Sequence, residues 1–373
     1  MKIAYLEPFY SDSHKYWIDT YARISSHKIE ILGLSGENWR WRMKSGAFVL
    51  AEFYRQKEKS YDLLLSSDMC DLSLFYAAAG LSPEVLPAAM YFQENQFAYP
   101  VSPKLRADKQ REALDYGFIN LKSALVAKHS YFNSQYNLNS FLEGSENYLR
   151  SAPDSQEYFD LDKLQKKCSV LPLGIDFEKI DQVKADAEIA KVRGEFAEYK
   201  FIAWNHRWDF DKNFPAFFRL VRNIKERGLK FKLVMLGQQT LDTNDSYRDF
   251  QEEFSSDAVC WGYEEDYSRY INWLRVSDIL PVTSNQDFFG ISIVEAAYCG
   301  AVPILPNRLS YPELFSDPEL FYQDSNQLEE RGVELFTSGY GLQQKLIDEL
   351  KRFSWTSQLE KYDSSFQKLV SCS

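Results

Sequence analysis

Short apolar runs alternate with longer amphipathic stretches along the chain, and this alternation constrains the fold more than any other feature. The apolar runs have the length and the flanking turn residues of buried strands. They are predicted as strands over Ile3–Leu6, Ile29–Leu34, Tyr61–Ser66, Ala89–Phe92 and Ser130–Asn133, and in a second series over Ser169–Leu171, Phe201–Trp204, Lys232–Leu236, Ala258–Trp261, Ile279–Val282 and Val302–Leu305. The stretches with helical period include Ala107–Val126, Lys179–Phe196, Phe214–Arg227, Tyr267–Val276 and Ile291–Cys299. This pattern predicts an α/β protein whose parallel sheets carry helices on both faces.

The two series of strands predict two doubly wound, Rossmann-like domains that face each other. A chain of 373 residues is long enough for both. Pro172 and Gly174 follow a strand and precede a long charged helix, so we place the boundary there. The predicted domains are residues 1–174 and 175–341, and residues 342–373 are predicted to form a C-terminal crossover helix that packs on the first domain.

Composition excludes several classes of protein. With Lys+Arg 43 against Asp+Glu 54, the net charge of −11 argues against an indiscriminate nucleic-acid binder. Any RNA partner would therefore need a local basic patch. Five scattered cysteines and four scattered histidines predict neither a disulfide framework nor a zinc site. An early charged N-terminus and the lack of a long apolar run predict a cytoplasmic protein with no membrane partner, and we predict no protein partner.

In such domains ligands bind where strands end, and the loop before Ile291 has the residues for a nucleotide diphosphate. Gly290 and Ile291 begin a helix, and their backbone N–H groups can bind an anion. Gly290 has no Cβ and lets a phosphate approach closely. Glu295, one turn into the helix, can accept hydrogen bonds from ribose hydroxyls, and Asp287 can accept them from a sugar ring.

A second loop follows the predicted strand Phe201–Trp204 and contains Arg207 and Lys212. A nucleoside diphosphate gains negative charge as a glycosidic bond breaks, so fixed cations stabilise that transition state. We predict this role for both cations and assign Asn205 and His206 to donor binding. The alternative is that Arg207 and Lys212 pair only with surface carboxylates.

Two DxD patterns resemble metal-binding motifs of metal-dependent transferases. They are Asp209 with Asp211 and Asp160 with Asp162. Because Arg207 and Lys212 bracket the first pattern and can neutralise a diphosphate, a solvated acidic turn is the favoured interpretation. We expect no metal and no other cofactor.

In the first domain, polar loops follow the first and fourth predicted strands. Ser13 and His14 can contact the diphosphate or the acceptor, and His14 is the candidate general base, with a helix-capping or core histidine as the alternative. Glu94, Asn95 and Gln96 follow the fourth strand, where a purely structural loop would more often use Gly, Asp or Ser. We predict contacts with the transferred sugar or the acceptor, and assign Glu94 to the catalytic set.

A basic and aromatic segment follows the second predicted strand and is named here the WRWRMK segment. It contains Trp39, Arg40, Trp41, Arg42 and Lys44. Interleaved tryptophans and cations are suited to stacking bases and contacting phosphates, which predicts acceptor binding. The alternative is an amphipathic helix with its tryptophans in the core.

The second domain resembles retaining GT-B glycosyltransferases of family 4. The resemblance rests on the Arg207/Lys212 spacing and on the acidic pair Asp287/Glu295, although that family usually has Glu where Asp287 stands. It implies a GT-B fold and a nucleotide-sugar donor. The segment Cys260–Tyr263 resembles the stretch whose backbone meets the nucleobase, which assigns Gly262 and Tyr263 to the donor. We also assign Phe289, in the same loop as Asp287, to donor binding.

Motifs from both domains together resemble the tRNA-queuosine α-mannosyltransferase family. They are the segments Glu7–Lys15, Trp39–Arg42, Tyr91–Pro100 and Asn205–Asn213. Gln93 stands where that family usually has His. The resemblance implies retaining transfer of mannose from GDP-mannose to the cyclopentene of queuosine in the anticodon loop of tRNA-Asp. The alternatives are a GT-B enzyme acting on a lipid, glycan or small molecule, and a non-catalytic RNA-binding protein on the same scaffold.

Overall fold

The structure is a computed structural model of the chain. It describes residues 1–57, 60–100, 107–154, 156–238, 245–338, 341 and 343–371, with the backbone alone for 107–113, 245–246 and 338. The chain divides into two compact units. Unit 1 comprises Met1–Ile175 together with Trp355–Ser373, and unit 2 comprises Asp176–Ser354.

Unit 1 is a parallel sheet with helices between successive strands. Its described strands are β1 (Lys2–Tyr10), β2 (Lys28–Ser35), β3 (Leu63–Ser67), β4 (Ala88–Phe92), β5 (His129–Phe132) and β6 (Cys168–Val170). Its described helices are α1 (Asp12–Ile24), α2 (Trp39–Arg55), α3 (Leu72–Ala79), α4 (Ala107–Val126), α5 (Gln135–Arg150) and α6 (Leu161–Lys166). The sheet order is β2-β1-β3-β4-β5-β6. Strands β3 and β4 are buried along their whole length, as expected for a parallel sheet covered on both faces.

Side-chain caps and aromatic packing fix the elements of unit 1. Asp71 accepts a hydrogen bond from the Leu74 N–H at 3.0 Å and begins α3, which removes one unpaired donor of the helix. Gly80 ends α3 with φ 67°, a left-handed conformation that favours glycine. Trp17 of α1 stacks on Tyr91 of β4 with centroids 4.3 Å apart. The first helix is thereby held against the middle of the sheet.

Unit 2 repeats the architecture. Its described strands are β7 (Lys200–Trp204), β8 (Phe231–Met235), β9 (Ala258–Trp261), β10 (Ile279–Pro281), β11 (Val302–Pro306) and β12 (Phe321–Tyr322). Its described helices are α7 (Phe177–Asp181), α8 (Ala187–Glu195), α9 (Phe214–Glu226), α10 (Asp245–Phe254), α11 (Tyr267–Val276), α12 (Ile291–Tyr298), α13 (Tyr311–Leu314), α14 (Ser325–Ser338) and α15 (Gln343–Leu350). The sheet order is β12-β11-β10-β7-β8-β9.

The predicted α/β class with two parallel sheets is confirmed, and several boundaries differ. The run predicted to open the second series is β6, which pairs with β5 in the first sheet. The helix predicted over 179–196 is two helices, because Asp186 accepts hydrogen bonds from Glu188 N–H at 2.9 Å and Ile189 N–H at 3.1 Å and starts α8 afresh.

The C-terminal segment is also divided. Instead of one helix over 342–373, α15 ends at Leu350, and Ser354 takes an extended conformation with ψ 148°. The last helix, α16 (Trp355–Ser371), belongs to unit 1. Its Tyr362 hydroxyl bonds the Tyr91 hydroxyl at 2.6 Å, which ties α16 to β4.

Candidate active site

The loops after β7 and β10 meet at the point in the sheet of unit 2 where the strand order reverses. Strands β7 and β10 are neighbours, and the chain proceeds outward from them in opposite directions. In open α/β sheets ligands bind at the carboxyl ends of such strands. These loops contain the residues predicted to hold a nucleotide diphosphate.

Lys212 ties the two loops together. Its Nζ donates a hydrogen bond to the Gln286 carbonyl at 2.9 Å and lies 3.2 Å from Asp211 Oδ2 and 3.8 Å from Asp287 Oδ2. The Lys212 side chain is only 12% exposed. Charges withdrawn from water interact strongly and need partners. Lys212 therefore pairs with carboxylates inside the loops, one of which is the predicted sugar contact.

Asp287 is half-buried and its carboxylate is oriented by two donors. The Phe289 N–H donates to Oδ1 at 3.3 Å, and the Tyr311 hydroxyl donates to Oδ2 at 3.4 Å. A carboxylate held in this way keeps a fixed direction, which a sugar hydroxyl contact requires.

Gly290 and Ile291 form the start of α12 without a side-chain cap. Gly290 has φ 97°, in the left-handed region that favours glycine. The helix start leaves backbone N–H groups of the first turn available for an anion. Arg207 lies on the exposed part of the β7 loop.

Glu295 is buried one turn further along α12. Its Oε1 accepts a hydrogen bond from the Tyr267 hydroxyl at 3.1 Å and its Oε2 from the Tyr270 hydroxyl at 3.4 Å. Burial raises the pKa of Glu295 to about 7, although the tyrosine hydrogen bonds and the charge of Lys179 act in the opposite direction. The carboxyl therefore changes its charge close to neutral pH.

Asn205 and His206 support the β7 loop. Asn205 Nδ2 donates to the Ser292 carbonyl at 2.8 Å and to the Tyr270 hydroxyl at 3.2 Å, which joins the loop to α12. Burial, followed by the charge of Lys212, lowers the pKa of His206 to about 3, so the ring is neutral. Within the described ranges His206 Nε2 has no hydrogen-bond partner.

The remaining predicted donor residues differ in exposure. Phe289 is buried and packs edge-on against Phe353 with centroids 5.4 Å apart, so its side chain has a packing role. Gly262 has φ 117°, and Tyr263 beside it is 61% exposed. The loop after β9 thus exposes an aromatic ring beside a glycine in a left-handed backbone conformation.

In unit 1, His14 is buried and ion-paired rather than exposed as a helix cap. Its Nδ1 lies 2.9 Å from Glu7 Oε2. Burial lowers the pKa of His14, but the charge and hydrogen bond of Glu7, with the charges of Asp68 and Glu94, outweigh burial and raise that pKa to about 10. The raised pKa favours the imidazolium form of the ring, and the general-base role of His14 stays a prediction. Ser13 is exposed on the first turn of α1.

The loop after β4 uses its polar residues in two ways. Asn95 is buried, and its Nδ2 donates to Asn137 Oδ1 at 2.9 Å and to Ser140 Oγ at 2.9 Å, while its Oδ1 accepts from the Ala98 N–H at 3.0 Å. These bonds give Asn95 a structural role in place of the predicted acceptor contact. Gln96 Nε2 donates to Glu94 Oε1 at 2.8 Å and so orients that half-buried carboxylate.

The WRWRMK segment forms the start of α2, and its residues divide between the two interpretations. Trp39 packs against Tyr116 with centroids 5.5 Å apart, in a small apolar cluster. Trp41 is 65% exposed, and Arg40 and Lys44 are exposed with it.

Neighbouring contacts hold the cations of this segment. The Arg40 guanidinium lies 5.1 Å from the Trp39 ring, and Arg42 donates to Ser35 Oγ at 2.9 Å. Lys44 Nζ lies 5.2 Å from the Tyr116 ring. The surface of α2 thus presents one tryptophan with positive charge around it.

Sequence reasoning missed Glu7 and Asp68 as functional candidates. Glu7 lies inside the motif that contains His14, and Asp68 directly follows β3, between β1 and β4 in the sheet. The available signal was a charged residue inside the buried β1 strand and another directly after the neighbouring buried β3 strand. Together with His14 they form a buried group of titratable side chains near the carboxyl ends of β1 and β3.

The aspartates of the DxD patterns act as caps and partners. Asp209 Oδ1 accepts from the Phe210 N–H at 2.8 Å, and Asp160 Oδ1 accepts from the Lys163 N–H at 2.8 Å. In the portion of the chain that the structure covers, no group of three or more His, Cys, Asp or Glu side chains is arranged to hold a metal. None of the helices in the described ranges combines the length and apolarity needed to cross a bilayer.

Each half of the chain matches a known protein family. Residues 2–175 match the family described as tRNA-queuosine alpha-mannosyltransferase N-terminal, and residues 186–352 match glycosyl transferases group 1. The tRNA-queuosine alpha-mannosyltransferase of Drosophila melanogaster is 33% identical over 334 residues, which cover 87% of this chain and 84% of that protein. The putative glycosyltransferase EpsF of Bacillus subtilis (strain 168) is 28% identical over 148 residues, 39% of this chain and 38% of that protein.

Solved structures share the fold at low identity. Sucrose-phosphate synthase of Thermosynechococcus elongatus has a TM-score of 0.73 at 12% identity, covering 100% of both chains. Trehalose-6-phosphate synthase OtsA has a TM-score of 0.69 at 11% identity, covering 99% of this chain and 98% of its own. The predicted GT-B fold is confirmed by these likenesses.

Proposed function

Because the chain belongs to the tRNA-queuosine alpha-mannosyltransferase family, we propose that it transfers mannose from GDP-mannose to queuosine in the anticodon loop of tRNA-Asp, in the cytoplasm and without a metal. The chain is a glycosyltransferase. One observation carries the donor half of the proposal. Lys212 joins the β7 and β10 loops through Gln286 and Asp287, which puts a cation beside the carboxylate assigned to the sugar.

In the proposed reaction the diphosphate leaves with its charge neutralised by protein groups. Arg207, Lys212 and the N–H groups at Gly290 and Ile291 stabilise the departing diphosphate, since fixed positive groups lower the barrier where negative charge develops. The acceptor hydroxyl attacks the anomeric carbon on the face that the diphosphate leaves. Its proton passes to the diphosphate, so the configuration is retained and no protein nucleophile is required.

The other donor contacts follow from the same loops. Asp287 accepts hydrogen bonds from the sugar hydroxyls and Glu295 from the ribose hydroxyls. Tyr263 and the backbone at Gly262 contact the base. Asp287 is shorter than the Glu usual in retaining GT-B enzymes of family 4, and hydrogen bonds from the Phe289 N–H and the Tyr311 hydroxyl orient its carboxylate.

For the acceptor, the exposed face at the start of α2 supports RNA. Trp41 can stack on an unpaired base, and Arg40 and Lys44 can contact phosphates. The net charge of −11 restricts such contacts to this local surface.

The proposal is tested by incubating the protein with GDP-mannose and tRNA-Asp that contains queuosine, followed by mass analysis of the anticodon nucleoside. The expected product is queuosine with one added hexose. The matched control is the same tRNA with guanosine in that position. Equal labelling of both RNAs, or none of either, would contradict the proposed acceptor.

A further inference from the structure

Three neighbouring strands of unit 1 end in one buried group of polar side chains. Glu7 lies near the end of β1, Asp68 directly follows β3 and Gln93 directly follows β4. In the sheet these strands are adjacent, and the order reverses between β1 and β3. This is the position at which open α/β sheets bind ligands.

Glu7 and His14 form the fixed part of the group. Glu7 Oε2 accepts hydrogen bonds from the Tyr5 hydroxyl and from His14 Nδ1, each at 2.9 Å, and Oε1 accepts from the Phe9 N–H at 2.9 Å. The carboxylate is thereby occupied on both oxygens. The Glu7 carboxylate therefore positions the His14 ring.

Asp68 has a carboxyl oxygen whose hydrogen bonding is incomplete. It is fully buried, and its Oδ1 accepts a hydrogen bond from the Gln93 N–H at 2.9 Å. Its Oδ2 has no hydrogen-bond partner among the residues described. Burial raises the pKa of Asp68 to about 8, with His14 lowering it and Glu94 and Glu7 raising it. A buried oxygen without a partner is costly in a folded protein and calls for an explanation.

Gln93 is incomplete in the same way. Its side chain is buried, and neither Oε1 nor Nε2 has a hydrogen-bond partner within the described part of the chain. Its backbone is fixed on both sides, because the N–H bonds Asp68 and the carbonyl accepts from Asn133 Nδ2 at 2.7 Å. One amide donor and one amide acceptor of Gln93 and one carboxyl oxygen of Asp68 are thus left open, on two residues joined by the Gln93 N–H bond.

We propose that Asp68 and Gln93 form a subsite for a ring bearing two neighbouring hydroxyl groups, with the Glu7–His14 ion pair as its fixed support. A carboxyl oxygen can accept from one hydroxyl, while an amide can donate to the second and accept from it. A hydroxyl pair therefore satisfies all three open groups at once. A phosphate would lie unfavourably close to the Asp68 carboxyl. An apolar ligand would leave all three open polar groups without hydrogen bonds.

Two such rings take part in the proposed function, on which this inference rests. One is the cyclopentene diol of queuosine and the other is the sugar of the donor. The residues belong to unit 1, the half matched to the family's N-terminal model. Two assays distinguish the queuosine diol from the donor sugar as the ligand. One measures sugar transfer to the tRNA, and the other measures the slow hydrolysis of the donor in the absence of tRNA.

The test compares Asp68→Asn and Gln93→Leu with the wild-type full chain. Both changes preserve approximate shape. Gln93→Leu removes both open amide atoms, and Asp68→Asn replaces the open acceptor oxygen with an N–H donor. The matched control is Asp71→Asn, because Asp71 is a carboxylate three residues away that caps α3. Thermal unfolding is recorded for each variant, and Gln93→Leu carries the test if Asp68→Asn does not fold. The assays use GDP-mannose with queuosine-containing tRNA, and GDP-mannose alone.

If the subsite holds the acceptor, kcat/KM for the tRNA falls by on the order of tenfold to a hundredfold in both variants, and donor hydrolysis is unchanged. If it holds the donor sugar, the KM for GDP-mannose rises in both assays. Values within twofold of Asp71→Asn in both assays overturn the inference.

The proposed function can fail independently. If the wild-type protein adds no hexose to queuosine but hydrolyses GDP-mannose, the proposed function fails. The hydrolysis assay then decides the subsite: a raised KM in both variants supports it, and an unchanged KM overturns it.

Discussion

The Nζ of Lys212 and the Oδ2 of Asp287 lie 3.8 Å apart, although the residues belong to loops after different strands. The distance is too long for a hydrogen bond, so each group retains capacity for a ligand. A diphosphate bound to Lys212 would place its attached sugar next to Asp287. The short distance between Lys212 and Asp287 therefore brings the two parts of the donor motif, in the β7 and β10 loops, together.

Replacing Lys212 by Ala is expected to lower kcat for sugar transfer by about a hundredfold to a thousandfold, since it removes a cation aimed at developing charge. Initial rates at saturating GDP-mannose measure the effect. Lys225→Ala is the matched control, because Lys225 forms a more exposed ion pair with Asp257 at 2.8 Å. A loss in kcat shared equally by both variants would contradict the assigned role.

Glu295 is expected to make donor affinity depend on pH. Its pKa is raised to about 7, so the carboxyl takes up a proton below that pH and accepts ribose hydroxyls less well. The KM for GDP-mannose should therefore rise as pH falls, by at most about tenfold for each unit below 7, and level off above it. Glu295→Gln should flatten the profile at the weaker affinity. The range from pH 5 to 8 extends about two units below and one unit above this pKa. A wild-type KM that stays constant over that range would refute the role of Glu295 in donor binding.

Trp41→Ala is expected to weaken tRNA binding by about 1–3 kcal/mol, the value of one base stacked on an aromatic ring. The free energy of unfolding should hardly change, because the ring is largely exposed. Filter binding or fluorescence titration gives the affinity. Tyr158→Ala removes another exposed aromatic ring of unit 1 and should leave binding unchanged.

Arg40→Ala is expected to reduce the salt dependence of tRNA binding. Loss of one phosphate contact lowers the slope of log K against log salt by about 0.7–0.9. Titrations at several salt concentrations measure it. An unchanged slope, with unchanged affinity, would place the RNA surface elsewhere.

Asn95→Ala separates a structural role from a ligand contact. The change breaks a buried network with Asn137, Ser140 and Ala98, so the free energy of unfolding should fall by about 1–3 kcal/mol. Denaturant unfolding measures the loss. At a temperature where the variant is folded, KM for tRNA should equal the wild-type value, and a raised KM with unchanged stability would restore the acceptor role.

The fold could be predicted from the sequence because parallel strands buried on both faces leave uninterrupted apolar runs, and the polar loops after them mark the ligand edge. The sequence indicates less clearly which strands pair with each other. The run at Ser169 gives no sign that it joins β5 and not the second sheet, because strand partners are set by tertiary packing.

The candidate site was predicted in part for a similar reason. Spacing placed Lys212 and Asp287 on post-strand loops, but it does not tell a side chain that faces a ligand from one that bonds within the protein. Asn95 is the clearest case, since its Nδ2 donates to Asn137 and Ser140 of α5, more than forty residues away in sequence. Asp68 was missed because a single aspartate after a strand has no pattern of its own.

The mass of the anticodon nucleoside after reaction shows whether the chain joins a sugar to queuosine in tRNA. With GDP-mannose, the wild-type protein should convert queuosine to its hexosylated form, and Arg207→Ala should leave queuosine unchanged. Unmodified queuosine after incubation with folded wild-type protein, active in donor hydrolysis, would rule out queuosine as the acceptor.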